Sequence, residues 1–404
     1  MTNLFKQTLL KATQMTRSGH LMDATRLIQD ALAGAVPVAA NDARVVPKSA
    51  MDQNVIDVEA RDVTPRPAPT QPAPTADANT ARTARTAHSA EKSAASAAPA
   101  AGRFIEDEFV FSGATYPYRL YVPAVPPRDD GLPTALPLVV LLHGCTQNAL
   151  DFATGTAMNA LADAHGCLVL YPQQTAKGNA QLCWNWFEPG HQVAGRGEPG
   201  MIAALTRHIL AQPAGHYQTG QSASQAPGVA DASRVYIAGL SAGGAMAAVV
   251  AGLYPDLFAA VGVHSGLPSG AAHDMMSAFK AMGRGATGTA AAALPTIVFH
   301  GSADKTVHPV NGDSISAAAA AALGDAGVAL VKSHDAPDVG QARGKSVKRT
   351  RHSDAQGTPF VEQWRVAASP HAWSGGDAAG SYTDPDGPSA SKAMLDFFLQ
   401  HRKA

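Results

Sequence analysis

The spacing of apolar residues divides the chain near residue 103. Before that point, apolar residues recur at helical spacing on either side of Ser18-Gly19, which predicts a helical hairpin over residues 1–33. Residues 34–102 are rich in Pro, Ala, Thr and Ser, and offer too little apolar side-chain area to offset the entropy lost on ordering. We therefore expect a disordered linker there, followed by one large domain over residues 103–404.

Strands and helices alternate in this large domain. Two predicted strands, residues 104–111 and 116–122, are joined by a Ser112-Gly113 turn, which predicts an antiparallel start. Continuous apolar runs then alternate with helical stretches, which is typical of an α/β fold with a mostly parallel central sheet and helices on both faces. The predicted strands are residues 136–142, 168–171, 235–239, 260–264 and 296–300, with a late pair at 345–351 and 360–366. The predicted helices are residues 156–165, 201–210, 242–253, 314–322 and 390–400.

Composition narrows the classes of function. Charged residues make up 16% of the chain and the net charge is −1, which gives no electrostatic footprint for nucleic acid. No apolar run approaches the length of about 20 residues that a transmembrane helix needs. No apolar stretch near the start resembles a secretory signal, so we expect a cytoplasmic protein. The three cysteines, Cys145, Cys167 and Cys183, have no zinc-site spacing, and we expect reduced thiols.

The strongest local motif is Gly239-Leu240-Ser241-Ala242-Gly243. It lies between a predicted strand and a predicted helix, which is the context in which a G-x-S-x-G pentapeptide holds a nucleophilic serine on a tight turn. Small residues beside the serine are needed because the turn is sterically crowded. We therefore predict that Ser241 is the nucleophile.

An acid and a histidine follow in the order expected for this fold class. Asp304 comes just after the predicted strand 296–300, where it could accept the Nδ1 proton of a histidine. His371 follows strand 360–366 in a loop of small residues and could serve as the base. Asp313 is the nearest alternative acid, but its position before a predicted helix is typical of an N-cap. The rival histidines are His143, His264, His300 and His308.

An acyl-transfer serine also needs two backbone N–H groups that face the developing oxyanion. One is expected from Ala242, the residue after the nucleophile. The other is expected from the loop after strand 136–142, where Gly144 permits a close approach and the N–H of Cys145 is best placed.

Four segments together resemble the esterase family of polyhydroxybutyrate (PHB) depolymerases. They are Leu142-His143-Gly144-Cys145-Thr146-Gln147, Cys183-Trp184-Asn185-Trp186-Phe187, Gly239-Leu240-Ser241-Ala242-Gly243-Gly244 and His371-Ala372-Trp373-Ser374-Gly375-Gly376. The resemblance covers residues 103–404 and implies an α/β-hydrolase fold and a Ser–Asp–His mechanism without metal or cofactor. It implies ester substrates: polyhydroxyalkanoates, their oligomers, or feruloyl and acetyl esters of plant polysaccharides. It also implies a disulfide between Cys145 and Cys183, in conflict with the expectation of reduced thiols.

Three tryptophans lie in loops of these motifs. Trp184, Trp186 and Trp373 are expected either to form an apolar platform for hydroxyacyl units or to pack within the scaffold.

The main prediction is thus a serine esterase that hydrolyses poly(3-hydroxybutyrate) or its oligomers. One alternative is a feruloyl or acetyl esterase acting on carbohydrate-linked esters. Another, of a different class, is a granule-associated binding protein whose working part is the hairpin of residues 1–33, which could contact the PHB granule surface. The expected location is the cytoplasm, where the protein could associate with granules. The alternative is an extracellular location, as in many relatives of this family.

Overall fold

The computed structural model describes most of the residues after 101. They are residues 102–125, 129–214, 216, 228–288, 291–335 and 345–403. The predicted hairpin over residues 1–33 and the linker over 34–102, apart from Gly102, lie outside the described residues. Both stay predictions, as does the division of the chain into these segments.

A ten-stranded sheet forms the centre of the described region, in the order β1-β2-β4-β3-β5-β6-β7-β10-β9-β8. The six strands from β4 to β10 in this order are parallel to one another, and the strands at both edges are antiparallel. The strands are β1 (Arg103–Phe111), β2 (Ala114–Val122), β3 (Thr134–Leu142), β4 (Leu168–Pro172), β5 (Gly228–Leu240), β6 (Ala260–His264), β7 (Thr296–Gly301), β8 (Val331–His334), β9 (Val347–Ser353) and β10 (Pro359–Val366). A small separate sheet pairs β11 (Trp373–Ser374) with β12 (Thr383–Asp384).

Helices cover both faces of the sheet, as predicted. They are α1 (Ala149–Thr156), α2 (Met158–His165), α3 (Gly197–Leu210), α4 (Ala242–Leu253), α5 (Met275–Arg284), α6 (Val310–Asp325) and α7 (Ala390–Phe398). Side chains of β3 alternate between two cores: Leu138 and Val140 pack with α3 and α4, whereas Val139 and Leu141 pack with α1, α2 and α7. Burial on both faces explains why β3 is a continuous apolar run.

The antiparallel start is a two-residue hairpin. Phe111 pairs with Ala114, and Ser112 and Gly113 between them have positive φ angles of 49° and 78°. Two successive left-handed residues form the tight turn whose twist matches that of the flanking strands.

Two local details differ from the predictions. The helix predicted over residues 156–165 is α2, which begins at Met158; helix α1 before it was not predicted, and Ala157, with a left-handed φ of 51°, separates the two. Asp313 is not an N-cap: α6 begins at Val310, so Asp313 lies in its first turn, where it pairs with Arg365. Helix α6 thus begins earlier than the apolar periodicity suggested, at Val310 instead of Ser314.

The parallel strands bring their following loops to one edge of the sheet. The turn after β5 carries Ser241, the loop after β7 carries Asp304, and the loop after β10 carries His371. Ligands of open α/β sheets bind at this edge. Within the described ranges, no helix is long and apolar enough to cross a bilayer.

Candidate active site

Ser241 stands in a tight turn between β5 and α4. Its φ of 57° and ψ of −119° are strained for a residue other than glycine. Its N–H donates to the carbonyl oxygen of His264, on the neighbouring strand β6, at 2.9 Å. Its side chain is only partly buried and makes no capping hydrogen bond to α4. The turn therefore presents the hydroxyl at the edge of the sheet.

Two glycines make this turn sterically possible. A Cβ atom on Gly239 would stand 2.4 Å from the carbonyl group of Gly243, and one on Gly243 would stand 2.2 Å from the carbonyl oxygen of Leu142. Because these neighbours are backbone atoms, no side-chain rotation could relieve the clash. The loop after β3 therefore lies directly against the serine turn.

Gly243→Ala is expected to destabilise the protein by about 3 kcal/mol, because the added methyl group would overlap the backbone of Leu142. This corresponds to a fall in Tm of about 5 °C or more. The matched control is Gly283→Ala, at an exposed position near the end of α5 with no atom within 4 Å of the built Cβ. Thermal melts of both variants check the prediction, and equal Tm values for the two would contradict it.

Asp304 and His371 form a hydrogen bond although 67 residues separate them. His371 Nδ1 lies 2.7 Å from Asp304 Oδ2. The other carboxylate oxygen, Oδ1, accepts the N–H groups of Thr306 and Val307, both at 2.9 Å. The side chain of Asp304 is fully buried and that of His371 is 12% exposed. A proton on Nδ1 leaves Nε2 free to act as a base.

The carboxyl group of Asp304 is held ionised. Burial by itself would raise its pKa, but hydrogen bonds from His300 and His371 and the backbone N–H of Val307 outweigh that effect. The net pKa lies well below the usual range for an aspartate. A permanently charged acid stabilises the imidazolium that forms when His371 takes up a proton.

Two rival histidines are buried and structural. Burial lowers the pKa of His264 to about 3 and that of His143 to about 4. His264 Nε2 accepts the N–H of Ser374 at 3.0 Å, and His143 Nε2 accepts the N–H of Gln174 at 3.1 Å. Groups with such low pKa values and occupied ring nitrogens are poor bases at neutral pH.

The other two rivals occupy different places. His300 Nε2 lies 2.9 Å from the carbonyl oxygen of Val307 and 3.3 Å from Asp304 Oδ2. It is therefore a second, longer contact of the carboxylate that pairs with His371. His308 is exposed, and its Nδ1 accepts the N–H of Val310 at 3.2 Å. Neither pairs with Asp304 as closely as His371 does.

In the loop after β3, the backbone N–H groups on either side of Cys145 have acceptors. The N–H of Gly144 donates to Gln147 Oε1 at 2.9 Å, that of Thr146 to the carbonyl oxygen of Gln181 at 2.7 Å, and that of Gln147 to the carbonyl oxygen of Gly144 at 3.3 Å. Within the described part of the chain, the N–H of Cys145 has no protein acceptor. Ala242 is the first residue of α4, where N–H groups lack helical partners. The sequence assigned these two N–H groups to the oxyanion, and that role stays a prediction.

Gln147 braces this loop, a role that the sequence did not reveal. Besides holding the N–H of Gly144, its Nε2 donates to Asp151 Oδ2 and to the carbonyl oxygen of Ser381, both at 3.0 Å. Gln147 is buried. Its place in the first motif segment was the available signal, but its partner Ser381 is 234 residues away.

Cys145 and Cys183 form a disulfide, so the expectation of three reduced thiols was wrong for these two. Cys167 is free and buried. The bridge ties the loop after β3 to the loop that carries Trp184 and Trp186.

All three tryptophans pack inside the protein instead of forming an exposed platform. Trp184 Nε1 donates to the carbonyl oxygen of His143 at 3.1 Å, and Trp373 Nε1 donates to Ser391 Oγ at 3.0 Å. Trp186 is 5% exposed and the other two are less so. A buried indole that satisfies its N–H belongs to the scaffold.

Glu198 is a buried carboxylate that accepts several hydrogen bonds from the segment between β4 and α3, which carries Trp184 and Trp186. The sequence did not reveal this role. Its carboxylate accepts Gln174 Nε2 at 2.5 Å, and Asn185 through its N–H at 2.7 Å and its Nδ2 at 2.6 Å. It joins the loop after β4 to the start of α3. No local pattern connects these residues, because Glu198 is 24 residues from Gln174 and 13 from Asn185.

Comparisons with known proteins agree with this architecture. A family model described as Esterase PHB depolymerase matches residues 117–330. Poly(3-hydroxyalkanoate) depolymerase C of Paucimonas lemoignei is 34% identical over 260 residues, which are 60% of this chain and 56% of the relative. Feruloyl esterase B of Thermothelomyces thermophilus is 32% identical over 160 residues, 39% of this chain and 47% of the relative. The chain spans about half the length of these curated relatives.

Among solved structures, the acetyl xylan esterase from Aspergillus awamori matches with a TM-score of 0.50 at 19% identity, over 74% of this chain and 100% of that chain. At this identity the match concerns the fold alone, which is that of an α/β-hydrolase. Since the family model matches more than half of the chain, the protein belongs to the Esterase PHB depolymerase family.

Proposed function

We propose that this protein is a serine esterase in which Ser241, His371 and Asp304 hydrolyse an ester through an acyl-enzyme. The observation that carries the proposal is the hydrogen bond between His371 Nδ1 and the buried carboxylate of Asp304, at the same sheet edge as the strained turn of Ser241. Family membership supports the same reaction class.

In the first step, His371 Nε2 removes the hydroxyl proton of Ser241 as Oγ attacks the ester carbonyl carbon. The N–H groups of Cys145 and Ala242 bind the oxyanion, aided by the positive end of the α4 dipole. The tetrahedral intermediate then collapses, the bond to the alcohol oxygen breaks, and the alcohol leaves with the proton from His371. The product is an acyl ester of Ser241.

In the second step, water takes the place of the alcohol. His371 removes a proton from water as its oxygen attacks the acyl carbon, and the same two N–H groups bind the second oxyanion. The bond to Ser241 Oγ breaks, and His371 returns the proton to the serine. Asp304 stays ionised throughout and holds His371 in the tautomer that this cycle requires.

The proposed substrates are polyesters or oligoesters of 3-hydroxybutyrate. The 34% identity to a poly(3-hydroxyalkanoate) depolymerase supports this class. The 32% identity to a feruloyl esterase supports the alternative, an ester linked to carbohydrate. The disulfide between Cys145 and Cys183 favours an oxidising compartment, and hence the extracellular alternative over a cytoplasmic location.

The proposal is tested with a fluorophosphonate ester, which reacts with activated serines, followed by a substrate panel. We expect a single covalent adduct, mapped to Ser241 by peptide mass spectrometry. The panel compares amorphous PHB, 3-hydroxybutyrate trimer, feruloyl arabinose and acetylated xylan. Turnover of the trimer at least about tenfold above that of the carbohydrate esters, a difference of about 1.4 kcal/mol in the barrier, is the expected result.

Heat-denatured protein is the control for labelling, because an unactivated serine does not react. A preference for feruloyl arabinose or acetylated xylan would establish the alternative substrate class within the same mechanism. Absence of both labelling and turnover would reject the esterase.

A further inference from the structure

Tyr382 is the most exposed Phe, Tyr or Trp side chain among the residues that the structure describes, at 48% exposure. It lies in the segment between β11 and β12, close in sequence to His371. Nearly half of its surface is therefore open to a ligand, and its ring is the apolar part of that surface. The residues around Tyr382 indicate which part of a ligand its ring contacts.

The backbone of Tyr382 is strained and firmly held. Its φ is 51°, an outlier for a bulky residue. Its carbonyl oxygen accepts the N–H of Trp373 at 2.7 Å, two residues after His371. The preceding residue, Ser381, is held on both sides, by Asp151 Oδ1 on its N–H and by Gln147 Nε2 on its carbonyl oxygen. Such strain persists only where surrounding contacts impose it.

The side chain extends from the loop of His371 to the loop of the oxyanion donor. The phenol oxygen of Tyr382 lies 3.2 Å from Thr146 Oγ1. Thr146 Oγ1 donates its own proton to the carbonyl oxygen of Cys145 at 2.6 Å. The Tyr382 hydroxyl must therefore be the donor to Thr146, and its proton is not available to a substrate. What the residue offers a ligand is the apolar face of its ring.

The proposed mechanism assigns two parts of the ester to groups other than this ring. The departing alcohol must face His371, which protonates it, and the carbonyl oxygen must face the N–H of Cys145. The acyl chain is the part of the ester that neither group holds, so it is the part free to lie on the ring of Tyr382, which ends at Thr146. An apolar ring at this place favours an acyl chain of several carbons over an acetyl group, which is too short to cover it.

We propose that Tyr382 is a specificity-determining residue that contacts the acyl chain of the ester, with the ring held in place by Thr146; this rests on the proposed function of Ser241. Tyr382 thus takes the part that the sequence offered to three tryptophans, which the structure buries. The preferred ligand is an ester with an acyl chain of several carbons, such as a hydroxybutyryl unit.

The test measures KM and kcat for p-nitrophenyl acetate, butyrate and hexanoate, which share one leaving group. Tyr382→Ala is expected to raise KM by about fivefold for butyrate and hexanoate and by less than about twofold for acetate, because only the longer chains lose apolar contact. Tyr382→Phe keeps the ring and is expected to leave KM within about twofold for all three. Tyr382→Asn removes the ring with a residue that tolerates left-handed φ, and should reproduce the alanine result.

Thr146→Val removes the hydrogen bonds of Oγ1 with Tyr382 and Cys145 but leaves the ring, and it is expected to raise KM for hexanoate by less than Tyr382→Ala does. An equal rise in KM for acetate and hexanoate in Tyr382→Ala would overturn the proposal, as would no rise at all. Tm values of the variants show whether each is folded.

A binding measurement separates this inference from the proposed function. The Kd of 3-hydroxybutyrate trimer is measured by calorimetry in Ser241→Ala, with and without Tyr382→Ala, so that no turnover is required. We expect about fivefold weaker binding when the ring is removed. Equal Kd values, or no binding of the trimer to either protein, would reject the contact. If Kd depends on Tyr382 but the parent protein, with Ser241 intact, hydrolyses no ester, the proposed function fails and the contact stands.

Discussion

Ser241→Ala is expected to lower kcat for p-nitrophenyl butyrate by about 10⁶-fold, to near the background rate of hydrolysis. The loss follows because no other group can form the acyl intermediate at that turn. Stability should change little: Ser241 makes no capping hydrogen bond to α4, and alanine carries the same Cβ into the left-handed conformation. Steady-state kinetics and a thermal melt of the same sample measure both effects.

Ser265→Ala provides a matched control for this variant. Ser265 follows strand β6, next to β5 in the sheet, and also has a left-handed φ, of 49°. It is fully buried and lies 3.2 Å from His264 Nδ1. We expect this variant to keep turnover within about tenfold of the parent protein, because its hydroxyl supports only a structural histidine. Loss of turnover in Ser265→Ala with retention in Ser241→Ala would reassign the nucleophile.

Asp304→Asn is expected to lower kcat by about 10⁴-fold with Ser241 still in place. The oxygen of the new amide would stay with the N–H groups of Thr306 and Val307, which now hold Oδ1. Its NH₂ group would then face His371 Nδ1 and, as a donor, require that nitrogen to be unprotonated. The proton would move to Nε2, which could no longer accept the proton of Ser241. Kinetics measure the loss, and ¹⁵N NMR of the histidine ring reports the tautomer.

Asp313→Asn tests whether the acid has been assigned correctly. Asp313 is the alternative carboxylate, nine residues further along, and its side chain is 46% exposed. It pairs with Arg365 and accepts Gln363 Nε2 at 2.6 Å. A pair this exposed is worth about 1 kcal/mol or less, so kcat should stay within about threefold. The reverse pattern, with Asp313→Asn inactive and Asp304→Asn active, would identify Asp313 as the acid.

Much of the sheet could be predicted because its strands are buried on both faces. A strand such as Leu168–Pro172, whose five residues are all buried, leaves a continuous apolar run in the sequence. Helix boundaries were less certain, since they depend on single residues. Ala157 ends α1 through a left-handed φ that alanine does not signal. Helix α5 was missed although Asp274 and Ser277 form a capping box, because only Ala278 and Ala281 along it are buried.

The serine turn was also predictable from local residues, because its steric demands fall on positions next to Ser241. The bracing of the site was not. It depends on hydrogen bonds between residues distant in sequence: Gln147 with Ser381, Glu198 with Asn185 and Gln174, and Tyr382 with Thr146. No local sequence pattern links either partner of such a pair to the other. The tryptophans illustrate the same point: the sequence predicted the loops that carry them but not that their side chains are buried.

By itself, the sequence determined the alternation of strands and helices, the family and the turn that strains Ser241, because periodicity and steric crowding act between neighbouring residues. Only the tertiary structure decided that the carboxylate of Asp304 meets His371, that Cys145 is bridged to Cys183, and that an exposed tyrosine instead of a tryptophan borders the oxyanion loop. Strand order and register decide such pairings. The parallel pairing of β7 with β10 brings together loops that lie 67 residues apart.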